Sequence, residues 1–344
     1  MFSWLEKSVS TCLGPLKKCA GMDDDHDLEM DDDALIWSND LGMHSHGEFS
    51  FAVAQANAAL EDHSQVETGP PATFVGVYDG HGGPNAAIHI SNHLFQHLLG
   101  QFGNNPLIAA IGSCCLVGVI CGGTLYVANL GDSRAVMGCL EGSDKIVAVP
   151  LTNDHNAKEQ AVRRELRNLH HDDANIVVKK KGVYRVKGII QVSRAIGDFY
   201  LKNPQFALDE SFPRFHLTEP LQGPVLSAEP AITTRNLQSN DKFIIFASDG
   251  LWEYLTNKEA VEIVHKNPRL GIAKRLLMMA MKKAAKRTKR PYNDIKILPA
   301  GGERRKVHDD ITIVVIFIDP ANASHHEISV RGFDNNVGAS NFTF

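Results

Sequence analysis

Four acidic sites in this sequence lie at the ends of apolar runs. Asp79 ends the run FVGVYD and Asp132 ends TLYVANLGD, while Asp249 follows KFIIFAS and Asp309 stands just before ITIVVIFI. A single aspartate in such a place is usually a turn residue or a helix cap. If the four strand ends meet, however, their carboxylates cannot all stay ionised at close range without a cation. The pattern therefore predicts a metal site built on carboxylates.

The ligand chemistry indicates which metal such a site would hold. Carboxylate and water oxygens are hard ligands, which favour Mg²⁺ or Mn²⁺ over zinc. The acid pair Glu61-Asp62, which follows the first predicted strand, adds further oxygen ligands. Shared carboxylates can hold two divalent ions that polarise a phosphate and generate hydroxide from a water molecule.

The stretch DGHGG after the second strand has two interpretations. Glycine and aspartate favour turns, and the turn interpretation is kept for Gly82 and Gly83. Beside a metal site, Gly80 would let a backbone carbonyl face the ion. His81 is either a hydrogen-bonded structural histidine or a general acid that protonates a leaving alkoxide, and the neighbouring acids favour catalysis.

Apolar alternation and turn signals predict short, hairpin-linked strands, which are typical of antiparallel sheets. Helical periodicity predicts helices over 83–98, 157–168, 257–265 and 268–287. The helix at 257–265 should begin with a capping box, because Thr256 precedes Glu259 by three positions. We therefore expect an α+β fold with packed antiparallel β-sheets flanked by α-helices.

Composition and charge limit the classes of protein. The chain has 344 residues, 43% of them apolar and 22% charged, with a formal net charge of −5. This is typical of a soluble globular protein and does not favour nucleic-acid binding. No apolar run reaches the roughly 18 residues of a membrane-spanning helix. The six cysteines lack zinc-like spacing, and Cys114 and Cys115 lie inside an apolar run as expected of buried thiols, which indicates a reducing compartment.

Charge runs suggest the domain boundaries. Acidic clusters at 23–25 and 31–33 predict a flexible N-terminal segment over residues 1–46. The alternating pattern of strands and helices occupies residues 47–320, where we expect the catalytic domain. The polar residues 321–344 are expected to form a loose C-terminal tail.

Five motifs together resemble a known family. VYDGHGG, GDSRAV (131–136), VSRAIGD (192–198), FASDGLWE (246–253) and HDDIT (308–312) occur in the order found in metal-dependent type 2C protein serine/threonine phosphatases. The resemblance covers about residues 47–320. The segments GEFSFAVAQAN and GSCCLVGVICGG are most similar to those of the plant subgroup called clade D. The family fold that this implies is two stacked antiparallel sheets with helices outside, an αββα sandwich.

The resemblance also implies roles for individual residues. Asp79 resembles the carboxylate that bridges two metal ions, and Gly80 resembles the carbonyl ligand of the first ion. Asp249 and Asp309 resemble the further ligands of the second ion. Asp310 stands where the family usually has asparagine.

Further positions match the family around this pair of metals. Glu61 and Asp62 match the acids that hold metal-bound water, and His81 matches the proposed general acid. Asp198 belongs to the conserved VSRAIGD motif, and its role stays open between metal support and structure. Asp132 with Glu253 resembles a weaker third-metal site, in which Glu253 replaces the usual aspartate.

The implied reaction is hydrolysis of phosphoserine and phosphothreonine by a dinuclear Mg²⁺ or Mn²⁺ centre that activates a bridging water. No phosphoenzyme and no nucleophilic cysteine are required. The alternative is a truncated, weakly active or inactive form that acts as a non-catalytic binding protein. A two-metal nuclease also fits acids at strand ends, but the sequence lacks a basic face around the motifs.

Three departures from the family pattern accompany the resemblance. Asn57 occupies a position where many members have an arginine that binds substrate phosphate, so phosphate binding must be weaker or come from elsewhere. Cys114 replaces a common threonine. Between residues 98 and 112 there is no room for a further helix of the family, and its loss puts folding rather than chemistry in doubt.

The resemblance also suggests partners and location. It implies phosphoprotein substrates, inhibition by small auxin-induced regulatory proteins, a plasma-membrane proton pump as substrate, and a monomer. The location expected is intracellular, in the cytoplasm or nucleus or peripheral at the plasma membrane. The basic region 282–306 is either a nuclear-import or acidic-partner surface, or a solvated helix end. KKKGVYRVKG (179–188) predicts a surface hairpin, with phosphoprotein binding near the cleft as its alternative.

Overall fold

The computed structural model describes residues 33–44, 47–69, 72–93, 106–217, 219–319, 329–334 and 338–343. They belong to a compact unit that begins at Asp33. Its strands are β1 (Ile36–His44), β2 (Gly47–Ala54), β3 (Asp62–Gly69), β4 (Ala72–His81), β5 (Gly112–Ser113), β6 (Cys115–Cys121), β7 (Thr124–Leu130), β8 (Arg134–Glu141), β9 (Lys145–Pro150), β10 (Val177–Lys180), β11 (Val183–Val186), β12 (Ile196–Gly197), β13 (Ala231–Asn236), β14 (Asp241–Ala247), β15 (Ile311–Phe317), β16 (Ser329–Asp334) and β17 (Gly338–Thr343).

The described helices are short except for one. They are α1 (Asn85–His93), α2 (Gln160–Leu169), α3 (Asp249–Trp252), α4 (Asn257–Lys266), α5 (Ile272–Thr288), α6 (Tyr292–Lys296) and α7 (Gly302–Arg305). None of the described helices is long and apolar enough to cross a membrane. The predicted capping box is confirmed, because Thr256 accepts from the backbone N–H of Glu259 while the Glu259 side chain accepts from the backbone of Thr256.

Two antiparallel sheets form the body of the protein. The first has the strand order β1-β2-β15-β14-β8-β9, and the second β13-β7-β6-β4-β3-β16-β17. Successive side chains of a strand face opposite ways, so Ile244 and Phe246 of β14 join the core shared by both sheets. Ile245 and Ala247 face the other way and pack with the helices.

Helices cover the outer faces of the sheets. Leu276 and Leu277 of α5 are fully buried against the first sheet. Ala87 and Ile90 of α1 pack against Tyr78 of the second sheet. The predicted fold of stacked antiparallel sheets flanked by helices is therefore confirmed.

Antiparallel pairing explains why the acidic strand ends meet. Asp62, at the start of β3, lies directly opposite Asp79, near the end of β4. In the first sheet, Ala247 at the end of β14 pairs with Ile313 near the start of β15. Asp249 follows β14 and Asp309 precedes β15, so both residues lie at the same end of this strand pair.

The structure corrects two predicted boundaries. β1 lies within the segment 1–46 that was expected to be flexible, and it pairs with β2 through a bulge between Asn39 and Gly42. β16 and β17 lie within the predicted loose tail 321–344, and β16 pairs with β3. These polar strands at or near the sheet edges carry little apolar alternation, so their backbone pairing left no signal in the sequence. Residues 1–32 lie outside the described residues.

The segment between α1 and β5 is described only in part. Pro106–Ala110 forms a 3₁₀ turn that leads directly into β5. The residues 94–105 of the predicted short segment lie outside the described part. The residues 189–192 form no strand, because they make only isolated bridges, at Ile190 and Val192.

Candidate metal centre

Six of the predicted acids line one cavity of about 570 Å³. Its floor carries six carboxylates, one histidine and one cysteine: Glu61, Asp62, Asp79, Asp132, Asp249, Asp309, His81 and Cys114. The residues come from six separate parts of the chain, and the pairing of β3 with β4 and of β14 with β15 brings most of them together.

Asp79 is held at the centre of this group. Its backbone carbonyl accepts from the backbone N–H of Cys114 at 2.8 Å and from Oγ of Ser113 at 3.0 Å. Burial, followed by the charges of Asp62 and Asp249, raises the pKa of the Asp79 carboxyl well above its usual range. The carboxylates therefore repel one another as the sequence predicted.

The other acids show the same electrostatic strain. Burial and the charge of Asp310 raise the pKa of Asp62 well above its usual value, and burial with the charge of Asp132 does the same for Asp249. Burial raises the pKa of Asp309 to about 6, although the charge of Arg305 opposes it.

These observations fit a bound divalent cation. Within the described residues, the buried Oδ2 of Asp62 has no hydrogen-bond partner. A cation would satisfy that oxygen and reverse the pKa shifts of its neighbours, because opposite charge favours the ionised carboxylate. Oxygen donors of this kind suit Mg²⁺ or Mn²⁺.

One tight donor group within the cavity is Asp79, Cys114 and Asp132, whose ligand atoms all lie within 4.8 Å of one another. Asp132 is held by Asn156, whose Nδ2 donates to Oδ2 at 2.5 Å, and by the Cys114 thiol at 3.3 Å from Oδ1. Burial raises the pKa of the Cys114 thiol well above its usual range. The thiol therefore acts as a donor to Asp132, as the hydroxyl of a threonine could.

Gly80 is needed for a close approach of two backbone segments. An added Cβ would lie 2.5 Å from the carbonyl oxygen of Glu61, which accepts from the Gly80 N–H at 3.2 Å. Any larger residue would push residues 61 and 62 away from the cavity. Burial raises the pKa of Glu61, and the charge of Asp310 adds to this.

His81 pairs with Asp198, whose role the sequence left open between metal support and structure. Nε2 of His81 lies 2.9 Å from Oδ2 of the fully buried Asp198. Burial alone would lower the pKa of His81, but the charge and hydrogen bond of Asp198 outweigh it and raise the pKa. Asp198 therefore orients the histidine and favours its protonated form.

Sequence reasoning missed Gly112. An added Cβ there would lie 2.1 Å from Oδ2 of Asp198 and 2.4 Å from Nε2 of His81. Gly112 thus leaves the space in which the pair forms. Nothing in the local sequence separates this glycine from an ordinary strand glycine.

Sequence reasoning also gave no role to Asp310. Its Oδ1 accepts from the backbone N–H groups of Ala56 at 2.5 Å and Asn57 at 2.9 Å. Its Oδ2 accepts from the Glu61 N–H at 2.9 Å. This buried carboxylate holds the loop that carries Glu61 and Asp62.

Glu253 lies outside the cavity. It is exposed, lies 3.3 Å from Nη2 of Arg287, and is not among the residues that line the acidic floor. Its charge still contributes to the raised pKa of Asp249. Of the two acids predicted for a third metal, Asp132 therefore lies in the cavity and Glu253 does not.

Comparisons with known proteins point to one protein family. A family model described as protein phosphatase 2C matches residues 101–289, more than half of the chain. "Probable protein phosphatase 2C 43" from Oryza sativa subsp. japonica is 55% identical over 383 residues, covering 100% of this chain and 98% of the relative. "Probable protein phosphatase 2C 68" from Arabidopsis thaliana is 53% identical over 390 residues, covering 100% and 99%.

Solved structures share the fold. The crystal structure of a serine-threonine phosphatase 2C from Toxoplasma gondii matches with a TM-score of 0.53 at 15% identity, over 83% of this chain and 99% of that one. A sex determining protein from C. elegans matches with a TM-score of 0.54 at 16% identity, over 80% of this chain and 66% of that one.

The rice alignment also bears on chain length. It runs over 383 residues whereas this chain has 344, a difference of 39, so the relative carries residues that have no counterpart here. Family model, relatives and fold agree with the acidic cavity: the chain belongs to the protein phosphatase 2C family and is a metal-dependent protein serine/threonine phosphatase.

Proposed function

We propose that the chain hydrolyses phosphoserine and phosphothreonine with two Mg²⁺ or Mn²⁺ ions held in the acidic cavity. Asp79, the Gly80 carbonyl, Asp249 and Asp309 would hold the ions, and Glu61 with Asp62 would hold water beside them. The observation that carries the proposal is the meeting of these carboxylates in one cavity, where burial and then mutual repulsion raise their pKa values.

The ions would supply positive charge to the phosphoryl oxygens and lower the pKa of a water molecule. The chain itself supplies the proton for the leaving group. Asp198 engages Nε2 of His81 and favours the imidazolium. Nδ1 is then the nitrogen from which a proton can pass to the serine or threonine alkoxide.

A third ion at Asp132 is a weaker part of the proposal. Asp132 shares the donor group with Asp79, which supports a site there. Glu253 would have to release Arg287 to take part. Asp132 is therefore the better candidate of the two.

The central test is the variant Asp79→Asn with manganese and a phosphothreonine peptide. The wild type should hydrolyse the peptide only when the metal is present, and okadaic-acid-type inhibitors should not reduce this activity. The variant should lose activity, and it should also lose the metal-dependent rise in melting temperature. Saturation to 100 times Kd stabilises a folded protein by about 2.7 kcal/mol.

The matched control is Asp144→Asn, which alters an exposed acid in the turn between β8 and β9. Its activity and its thermal response to manganese should equal those of the wild type. A folded wild type that neither hydrolyses the peptide nor responds to manganese would instead favour the non-catalytic binding protein.

Finer aspects of the proposal rest on the family resemblance. We propose a clade D type of phosphatase that acts inside the cell, in the cytoplasm or nucleus or at the plasma membrane, on substrates that include a plasma-membrane proton pump. Small auxin-induced regulatory proteins would inhibit it. The high identity to rice and Arabidopsis relatives supports a plant setting. Inhibition of the purified phosphatase by such a regulatory protein tests this proposal.

A further inference from the structure

The acidic cavity has to accept a doubly charged phosphate monoester. Six carboxylates line its floor, so even two divalent cations leave negative charge around an incoming phosphate. A cationic side chain beside the acids would offset this repulsion and orient the phosphoryl group. The neutral Asn57 also lines the cavity and cannot supply that charge.

Arg305 lies at the place where Asn57 meets the acids. Its Nη2 is 2.6 Å from Oδ2 of Asp309. The Asn57 side chain lies on the other carboxylate oxygen of Asp309, with Nδ2 3.5 Å from Oδ1. The two side chains therefore converge on one carboxylate, and Arg305 brings a positive charge to the position next to residue 57.

The backbone that carries Arg305 is firmly held. The adjacent Arg304 is fully buried, and its Nε donates to the carbonyl of Gln55 at 2.8 Å while Nη2 lies 2.6 Å from Oδ2 of Asp33. The Arg305 side chain itself is 45% exposed. The backbone position of Arg305 is thus fixed, and its side chain lines the cavity.

The other cations of the cavity are used differently. Arg185 donates through Nη1 to the carbonyl of Ile189 at 2.8 Å, and Arg214 lies over the ring of Phe215 at 5.2 Å. Lys180 and Lys181 are exposed where β10 turns into β11, which confirms the predicted surface hairpin. Among these five cations in the described cavity, Arg305 is the one paired with an acid of the floor.

We propose that Arg305 binds the phosphoryl group of the phosphoserine or phosphothreonine substrate, in the place left neutral by Asn57. A guanidinium carries five N–H donors in a planar fork that matches two phosphate oxygens. The pair with Asp309 is made by Nη2, so Nε and Nη1 add donor capacity. This inference rests on the proposed function, since it names the group that recognises the substrate of the same site.

The test compares Arg305→Ala and Arg305→Lys with the wild type. Two quantities are measured: KM for a phosphothreonine peptide, and the Kd of inorganic phosphate for the manganese-loaded protein by calorimetry. Loss of a charge-assisted contact should raise both by roughly 10- to 100-fold in the alanine variant. The lysine variant should fall between, because it keeps the charge but loses the fork.

A second variant addresses the position directly. Asn57→Arg in the Arg305→Ala background should recover part of the phosphate affinity, because both side chains meet at Asp309. The control is Arg290→Ala, an exposed arginine paired with Glu303 outside the cavity, which should leave KM and phosphate Kd unchanged.

The inference is overturned if Arg305→Ala binds phosphate as tightly as the wild type. It is also overturned if that variant lowers kcat and weakens manganese binding while KM and phosphate Kd stay constant, since Arg305 would then only position Asp309. Calorimetry does not need turnover, so a failure of the proposed phosphatase reaction would be recognised separately by an inactive wild type that still binds phosphate.

Discussion

His81 and Asp198 are 117 positions apart in the chain, yet their side chains meet at 2.9 Å. The pairing depends on Gly112, which leaves no side chain in the space between β4, β5 and β12. At the scale of single residues, the proton donor therefore depends on a partner and on a gap as much as on the histidine itself.

The variant Gly112→Ala should separate the role of this pair from metal binding. The new Cβ would overlap Asp198 and His81, so kcat should fall by about 100-fold, as expected for losing a general acid. The rise in melting temperature with manganese should persist. Gly223→Ala is the control, because an added Cβ there meets open space; equal kcat values for the two variants would contradict the role of the pair.

His155 should make the protein sensitive to mild acid. Burial, followed by the charge of Arg194, lowers its pKa to about 4, whereas an unfolded histidine titrates near 6.5. The unfolded state therefore binds more protons below pH 6.5, and stability is lost as the pH falls from about 6.5 towards 4. Between pH 7.5 and pH 5 this residue should cost about 2 kcal/mol.

Urea unfolding of His155→Gln at these two pH values checks the effect. The variant should lose about 2 kcal/mol less than the wild type between pH 7.5 and pH 5. His171→Gln changes a histidine that is 78% exposed and should behave as the wild type does. Identical pH dependence in His155→Gln and the wild type would contradict the buried neutral state.

At the scale of elements, the sequence predicted the start of a helix where a side chain caps its first turn. The capping box at Thr256 and Glu259 formed as expected, and it starts α4. α5 begins at Ile272, later than the predicted 268, because Gly271 adopts a left-handed conformation with φ of 68° just before it. The start of a helix is thus predictable where a side chain caps it and less so where a backbone turn does.

Thr256→Ala should weaken the start of α4. The change removes the hydroxyl that accepts from the Glu259 N–H at 3.2 Å, which typically costs about 1 kcal/mol. Urea unfolding measures the difference in free energy of unfolding. Thr256→Ser keeps the acceptor and should retain most of the stability, so equal losses in both variants would count against the cap.

At the scale of the whole molecule, a buried ion pair joins distant parts of the chain. Asp33, before β1, lies 2.6 Å from Arg304 of α7, and both side chains are fully buried. Arg304 also donates through Nε to the carbonyl of Gln55, the residue that follows β2. The pair therefore connects the first described residues to the segment that carries Arg305 and Asp309.

Asp33→Ala should destabilise the protein by about 3–5 kcal/mol, because it leaves a buried arginine without its carboxylate. The double variant Asp33→Ala/Arg304→Met should be more stable than the single variant, since it removes the uncompensated charge. Urea unfolding of the three proteins gives the comparison. A single variant within about 1 kcal/mol of the wild type would contradict a structural role for the pair.

The sequence by itself determined the layered antiparallel fold, the family and the acids that meet in the cavity. These features follow from short periodic apolar runs and from motifs at the ends of strands. Antiparallel pairing of those strands brings the motifs together, as it does for Asp62 opposite Asp79. Apolar alternation and strand-end charge are local properties, and both can be read without coordinates.

Only the tertiary structure decided which side chains meet across long separations. It showed that His81 pairs with Asp198 and that Asp310 accepts a hydrogen bond from the backbone of Glu61. It also placed Glu253 outside the cavity and showed that β1 pairs with β2 and that β16 pairs with β3. Hydrogen bonds between distant segments and backbone pairing of polar edge strands leave no periodic trace in the chain, because their partners are set by packing rather than by neighbouring residues.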